Sequence, residues 1–270
     1  MLFANYLTII RGGGDLATGV AYRLHKAGFP LIVLELARPS VIRRRVALAT
    51  AVLEGSVNIE DMRGQLAHSF DEALALSKTD TIPVLASPAL TIPHSSFSIL
   101  IDARIAKRNI DTSIDQAPLV IGMGPGFTAG VDCHAVIETM RGHALGRVIW
   151  QGSALPNTGT PGIVAGKGAE RVLRAPAEGV VNWRLDIGDY VEQDTVIGDV
   201  NGAAVTAPFD GVIRGLIAPE TAVSHHMKIG DVDARGTPQN CFTISDKALA
   251  MGGAVLEAIL TYLNRVKRDA

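Results

Sequence analysis

The chain has 270 residues, enough for one large domain or two modest ones with a sizeable core. It is 47% hydrophobic and 19% charged but only 5% aromatic, with a mean hydropathy of +0.25, so an aliphatic core built on buried parallel strands is expected. A net charge of −2 gives no basic footprint for nucleic acid, and no apolar run approaches the ~18 residues of a membrane span.

The N-terminal residues Met1-Leu2-Phe3-Ala4-Asn5 carry no basic segment ahead of an apolar one, so no signal peptide is expected. Two cysteines, Cys133 and Cys241, make neither a disulfide framework nor a four-ligand zinc site. No metal site is expected, and the expected compartment is the reducing cytoplasm. The 28 glycines are clustered, which points to backbone chemistry rather than disorder.

Leu7-Thr8-Ile9-Ile10 reads as a short buried strand. Arg11-Gly12-Gly13-Gly14-Asp15-Leu16-Ala17-Thr18-Gly19 follows, and Leu16, Val20, Leu24 and Ala27 then mark one face of a helix that Gly28 ends. Leu31-Ile32-Val33-Leu34-Glu35 is the next strand. This β-α-β unit carries Gly12-x-Gly14-x-x-Ala17, with Glu35 placed 23 residues after Gly12, near the ~20 expected of a ribose-binding acid. Glycines let backbone approach a phosphate, and a helix N-terminus offers free N–H groups to an anion. Gly12, Gly13, Gly14, Asp15 and Glu35 are therefore candidate cofactor-binding residues. A tight turn with Asp15 as N-cap is the alternative.

Arg38-Pro39-Ser40 precedes Val41-Ile42-Arg43-Arg44-Arg45, which is expected to open a helix. Its arginines are either a solvated turn or a source of one clamp for a phosphate or carboxylate. Thr81-Ile82-Pro83-Val84-Leu85 and Ser98-Ile99-Leu100-Ile101 are further strands, the second running into Asp102-Ala103-Arg104. Charges at a strand's carboxyl end face the usual ligand crevice, or else form a salt-bridged loop.

Pro118-Leu119-Val120-Ile121 is another buried strand, followed by Gly122-Met123-Gly124-Pro125-Gly126-Phe127-Thr128-Ala129-Gly130. A helix is expected from Val131 to Thr139, which makes this a second anion-binding turn with Gly122, Gly124, Gly126 and Thr128 as candidates. Cys133, at the expected helix start beside His134, is a candidate reactive thiol or simply a small buried hydrophobe. Arg141, His143 and Arg147 follow and are candidates for anionic parts of a ligand.

Residues 152–171 are Gly/Pro-rich and read as a linker or lid, setting off a domain over 1–151. An internal repeat follows over 172–245: Ala175-Pro176-Ala177-Glu178-Gly179-Val180-Val181 matches Ala207-Pro208-Phe209-Asp210-Gly211-Val212-Ile213 at an offset of 32 residues. Ile197-Gly198-Asp199-Val200 matches Ile229-Gly230-Asp231-Val232 at the same 32-residue offset. Residues 246–270 form a helix with Leu249, Val255, Leu256, Ile259, Leu260 and Leu263 on its apolar face, suited to packing on a domain or on a second copy.

The repeat resembles a lipoyl/biotinyl-type barrel, which writes Ala-Pro-x-x-Gly-x-Val and then Gly-Asp-x-Val, here Gly188-Asp189-Tyr190-Val191. Where that family carries its modified lysine, this chain has Asp199-Val200-Asn201-Gly202-Ala203-Ala204, so the module is expected to serve as scaffold, lid or docking surface. The two glycine-rich turns, together with Glu138-Thr139-x-Arg141-Gly142-His143 and Asn157-Thr158-Gly159-x-Pro161-Gly162, resemble the YqeB-type maturation proteins of selenium-dependent molybdenum hydroxylases. The first half is also similar to the Rossmann-like XdhC proteins that chaperone molybdenum cofactor.

The resemblance implies an accessory protein that holds molybdenum cofactor or its nucleotide form, a phosphate-bearing small molecule, for a client molybdenum hydroxylase. Cys133 would then be a candidate carrier of sulfur or selenium. The expected architecture is α/β: a Rossmann-like parallel sheet, a small β barrel-sandwich module and a C-terminal helix, with no nucleic-acid or membrane partner. Two other readings stay open. One is an oxidoreductase using NAD(P), drawn from Gly12-x-Gly14-x-x-Ala17 and Glu35. The other is a non-enzymatic docking protein.

Overall fold

The computed structural model describes residues 1–87, 92–159, 162–163 and 165–269. The chain forms two compact units that interleave in sequence: Met1–Pro39, Ala47–Thr158 and Ile244–Ala270 in one, Ser40–Val46 and Gly159–Thr243 in the other. Thr160, Pro161 and Val164 of the Gly/Pro-rich segment lie outside the described residues.

In the first unit, β1 (Thr8–Arg11) is buried throughout and passes through the glycine turn into α1 (Asp15–Ala27). Ala17, Val20, Ala21 and Leu24 form the buried stripe of α1, and Gly28 ends it at φ 88°, its N–H bonding back to the carbonyls of Leu24 and His25. After β2 (Leu31–Glu35) the expected helix at Val41–Arg45 is absent, and only a single 3₁₀ turn forms over Arg44–Val46. The short helix α2 (Thr50–Glu54) then leads to a hairpin of β3 (Ser56–Ile59) and β4 (Met62–Ala67). Ser69 caps α3 (Phe70–Leu76) by accepting the Glu72 N–H. Three strands follow: β5 (Thr81–Ala86), β6 (Ile99–Asp102) and β7 (Leu119–Met123).

The helix expected from Val131 is also absent. The chain instead makes the two-residue strand β8 (Thr128–Ala129) and then β9 (Ala135–Ile137), parallel to β7. Two local causes stand out. Asp132 turns back to accept the Thr128 N–H, and the Ala129–Cys133 bridge with the Gly130-to-Cys133 hydrogen bond closes a tight loop. The β-branched Val136 and Ile137 then fill a sheet position that is buried on both sides. The unit is completed by β10 (Val148–Ile149), β11 (Gly152–Ser153), which pairs with β8, and α4 (Asp246–Asp269).

Nine strands make one mixed sheet in the order β10-β9-β7-β6-β1-β2-β5-β4-β3. All neighbours are parallel except the edge pairs β3–β4 and β10–β9. From β1 the chain builds outward one way through β2 and β5, then returns to the other side of β1 as β6, β7 and β9. The strand order therefore reverses between β1 and β6. Both faces are covered. Ile9, Leu100, Val120 and Val136 join a cluster with Phe97, Phe127 and Cys133, and the alternate residues Ile10, Val33, Ile101 and Ile121 are just as buried.

Helices α1 and α4 touch through glycine. A Cβ at Gly19 would lie 2.2 Å from the Ala248 carbonyl oxygen, and one at Gly252 would lie 2.2 Å from that of Gly19. Gly19 meets Ala248, while Gly252 meets both Gly19 and Arg23, so the helices run the same way and their N-termini lie side by side.

The second unit holds β12 (Val172–Arg174), β13 (Gly179–Trp183), β14 (Tyr190–Val191), β15 (Val196–Val200), β16 (Ala203–Thr206), β17 (Gly211–Leu216), β18 (Ala222–Val223) and β19 (Lys228–Asp233). They form two four-stranded sheets, β12-β19-β17-β14 and β16-β15-β13-β18. Advancing by 32 residues carries β12, β13, β14 and β15 onto β16, β17, β18 and β19, so the sheets exchange strand for strand. Among the described residues this is a sandwich of two open sheets and not a closed barrel. Val181, Ile197, Val200, Ile213, Ile229 and Val232 lie in its aliphatic core. The Ser40–Val46 segment is bound into the same unit: Arg43 bridges to Leu216, Arg44 Nε donates to the Leu216 carbonyl, and Arg45 pairs with Asp186. The arginine run is thus spent on this unit's backbone and on Asp186.

Candidate functional site

The reversal of strand order places the ends of β1 and β6 side by side at the carboxyl edge of the sheet. Gly12 and Gly13 are required there by close packing. Gly12 has φ 95°, and a Cβ on it would lie 3.1 Å from the Ala103 carbonyl oxygen. A Cβ on Gly13 would lie 2.8 Å from Ala49 N, which donates to the Gly13 carbonyl. Gly14 differs: a Cβ on it would meet nothing within 4 Å. It is the N-cap of α1 and supplies no side chain to cap the first turn. No side chain caps the first turn, whose N–H groups and dipole carry partial positive charge.

Glu35 is held by main chain rather than left free. One carboxylate oxygen accepts the Gly13 N–H at 2.7 Å and the other the Leu36 N–H at 2.7 Å. It fixes the shape of the glycine turn.

Behind the turn lies an ionic network. Arg11 is 2% exposed and donates to Asp111 at 2.8 Å and to Thr112. Asp102, beside Arg11 in the β1–β6 register, accepts from Thr112 and from the Arg104 guanidinium, which also reaches Asp111. Burial works against the charge of Arg104, but Asp102 and Asp111 outweigh it and its pKa is raised. The hydrogen bond from Arg11, with help from Arg104, lowers the pKa of Asp111 against burial. Of the two readings of Asp102-Ala103-Arg104, the salt-bridged loop is the arrangement present.

The second glycine turn is filled by the protein itself. A Cβ on Gly122 would lie 2.5 Å from the Phe127 ring, one on Gly124 2.8 Å from Thr139 Oγ1, and one on Gly126 2.4 Å from the Arg108 Cα. The Thr128 hydroxyl is paired with Ser153 at 3.0 Å. With no helix following, this turn has no helix N-terminus to offer an anion.

Cys133 is fully buried in the cluster under the sheet, and burial pushes its thiol up to about 12. The helix start that would favour a thiolate is absent. His134 Nδ1 accepts the Val120 N–H, and burial lowers the pKa of its ring. The pair therefore reads as packing rather than as an activated thiol.

Glu138 is a buried carboxylate at the end of β9. It accepts the N–H groups of Met140 and Leu155 at 2.7 Å each, and so shapes the loop that carries Arg141. Arg141 makes a two-pronged pair with Asp246 at 3.0 and 3.1 Å, tying that loop to the start of α4. His143 and Arg147 are exposed.

The sequence reading missed Lys247. Packed beside α1 through Ala248 and Gly19, it lies in electrostatic reach of Asp15, Glu138 and Asp246, with Arg141 as a like-charged neighbour. Burial, followed by Arg141, lowers its pKa. No hydrogen bond or ion pair from its ammonium is found among the described residues. The signal that marks it is a lysine in the first turn of a helix, where the dipole favours acids.

The glycine turn, Asp15, Glu35, Arg141 and Lys247 thus belong to one edge of the first unit. Gly122, Gly124, Gly126, Thr128 and Cys133 serve the fold beside it. Among the described residues no cluster of three or more His, Cys, Asp or Glu could hold a metal ion. No described helix is long and apolar enough to cross a membrane.

Comparison with known proteins finds a sequence relative over nearly the whole chain. The chain is 45% identical over 260 residues to the uncharacterized protein YqeB of Escherichia coli strain K12, across 96% of this chain and 48% of that protein. It is similar to YqeB along nearly its whole length, and it spans about half the length of that relative. No protein-family profile matches. Solved structures give only remote likenesses. An aspartoacylase family protein from Mesorhizobium loti is 14% identical at a TM-score of 0.27, with 84% of each chain covered. The ectoine utilization protein EutE from Ruegeria pomeroyi is 10% identical at a TM-score of 0.24, covering 84% of this chain and 57% of the other.

Proposed function

We propose that this protein is a cytoplasmic accessory factor in the maturation of selenium-dependent molybdenum hydroxylases. In this reading it binds a phosphate-bearing cargo, molybdenum cofactor or its nucleotide form, at the carboxyl edge of the β1–β6 pair, and passes it to a client hydroxylase. The observation that carries the binding half is the open, uncapped N-terminus of α1, which follows the glycine turn where the strand order reverses. Leaving aside β4, which is parallel as well but follows β5 in the sheet, the order β5-β2-β1-β6-β7-β9 supports a doubly wound reading. The maturation half rests on the resemblance of the glycine-rich turns and the Glu138-to-His143 motif to YqeB-type maturation proteins. The exchange of strands between its two sheets supports a lipoyl/biotinyl-like reading of the second unit, and the turn between its halves, Asn201-Gly202, carries no lysine. It serves as a scaffold and not as a swinging arm.

The NAD(P) oxidoreductase reading rests on the same strand order and on Glu35. It is weakened because both oxygens of Glu35 already accept main-chain N–H groups, which ties up the acid that this reading assigns to a ribose. Two measurements decide between them. Mass spectrometry of the protein purified without oxygen is expected to find a phosphate-bearing molybdenum cofactor species, and calorimetry to find only weak NADH binding. In cells lacking the protein, a client hydroxylase is expected to accumulate without its selenium and cofactor. Full loading there, or tight NADH binding with no cofactor found, overturns the proposal.

A further inference from the structure

We infer that the β6–β7 connection, residues 104–111, is a strap that closes the carboxyl edge of the sheet between the two glycine turns. An ionic latch holds it, and it opens as a local unit to admit an anionic ligand. Admission of a ligand rests on the anion-binding reading of this edge, whereas the opening of the strap does not.

Contacts with both turns fix where the strap lies. A Cβ on Gly12, in the first turn, would lie 3.1 Å from the Arg104 Cα, and one on Gly126, in the second, 2.4 Å from the Arg108 Cα. The Asn109 N–H donates to the Gly126 carbonyl at 3.1 Å. The connection therefore runs from one turn to the other along the carboxyl edge. It starts where the strand order reverses, the place at which open α/β sheets have their ligand crevice.

Polar clasps hold the strap in place of core packing. Ala103 and Thr112 are buried at its two ends, but none of residues 104–111 is buried, and Ile110 is 53% exposed. Asp111 accepts from Arg11 at 2.8 Å and from Arg104 at 2.7 Å. Asn109 donates to Asp132 and to the Thr112 carbonyl, and accepts the Thr112 N–H. The backbone works against these clasps. Ile105 at φ 53° and Lys107 at φ 62° lie in the left-handed region, where a β-branched residue is a genuine outlier. A span with strained backbone, exposed clasps and no buried side chain belongs to the low-stability end of a fold and opens before the strands beside it.

Opening also has a chemical consequence. Asp111 leaves Arg11, whose side chain is 2% exposed, and a buried guanidinium without its counter-charge is costly. An anionic group that takes the place of Asp111 offsets that cost. The latch therefore favours a ligand bearing phosphate or carboxylate over a neutral one.

The test is amide hydrogen exchange of the whole chain, read at residue 109 relative to its intrinsic rate. The bond from this N–H to the Gly126 carbonyl involves main chain only, so it survives the substitutions used. In the unaltered protein this amide is expected to exchange faster than those of β6 and β7. It should also ignore sub-denaturing urea, which speeds only openings that expose much surface. Asp111→Asn and Asn109→Ala are each expected to speed it about tenfold. Lys107→Asn, which suits the left-handed region, is expected to slow it about twofold.

Exchange at residue 109 with the rate and urea dependence of the strands overturns the strap. So does a rate within about twofold of the unaltered one in both Asp111→Asn and Asn109→Ala. Titration with inorganic pyrophosphate then tests the gating role. Asn109→Ala leaves the net charge unchanged and is expected to tighten binding by the factor by which it speeds exchange, because only the open form binds. Faster exchange with unchanged affinity overturns the gate. If neither chain binds pyrophosphate, the anion-binding reading fails and the gate with it, while exchange alone decides whether the strap opens.

Discussion

The two glycine-rich turns at the carboxyl edge of the sheet look alike in composition and differ in what occupies the space beside them. Around Gly122, Gly124 and Gly126 that space is taken by Phe127, Thr139 and the Arg108 backbone. Around Gly12 and Gly13 it is taken by Ala103, Arg104 and Ala49, but at Gly14 it is empty. A glycine can be required because protein comes close or because a ligand must, and glycine density alone does not separate the two. What separates them is the element that follows. A 13-residue helix follows the first turn, and the two-residue strand β8 follows the second.

The largest effects are expected in the filled turn. Gly126→Ala places a methyl 2.4 Å from backbone at φ 107°, where it has no flexible neighbour to displace. A loss of about 3 kcal/mol or more in denaturant unfolding is expected. Gly14→Ser, at φ −66° in open space, is expected instead to stabilise by about 0.5 kcal/mol through its cap while weakening pyrophosphate binding. Equal stability losses in the two variants would erase the distinction between the turns. Between these extremes lies Arg11→Met. It leaves Asp111 and Thr112 without their buried donor, at an expected cost of about 1.5–3 kcal/mol. A change below 0.5 kcal/mol would mean that Arg104 carries the network alone.

Much of the first unit was legible in the sequence. The apolar runs at Leu7, Leu31, Thr81, Ser98 and Pro118 fall on β1, β2, β5, β6 and β7, and Gly28 stops α1. The β3–β4 hairpin was not legible, because Ser56–Ile59 and Met62–Ala67 mix polar residues into short strands at the sheet's edge. The helix expected at Val131 failed because the side chain of Asp132 satisfies a turn instead of opening a helix. The 32-residue repeat anticipated the strand exchange of the second unit, whereas closure into a barrel is a matter of edge pairing that repeat spacing does not encode. At the candidate site, Gly12, Gly13, Gly14 and Glu35 were found by their spacing. Lys247 was not, since only the α1–α4 packing brings a residue 232 positions after Asp15 to the same place.

The smallest expected effect concerns pH, and it asks whether the network behind the first turn acts as an ionic one. Arg11 holds the pKa of Asp111 below its ordinary 3.8 in the folded chain. The unfolded chain therefore takes up this proton first as pH falls. The stabilisation is fully present above about pH 4 and is lost as pH drops through the folded value. Because the Asp111 side chain is half exposed, its share amounts to a few tenths of a kcal/mol. Thermal unfolding followed from pH 5 down to pH 3 should show a steeper fall for the unaltered protein than for Arg11→Met, which lacks the cation responsible for the shift. Parallel curves would mean that Arg11 serves the turn by shape and hydrogen bonding alone, and the contrast between an ionic first turn and a close-packed second one would narrow to Gly14 and its open helix end.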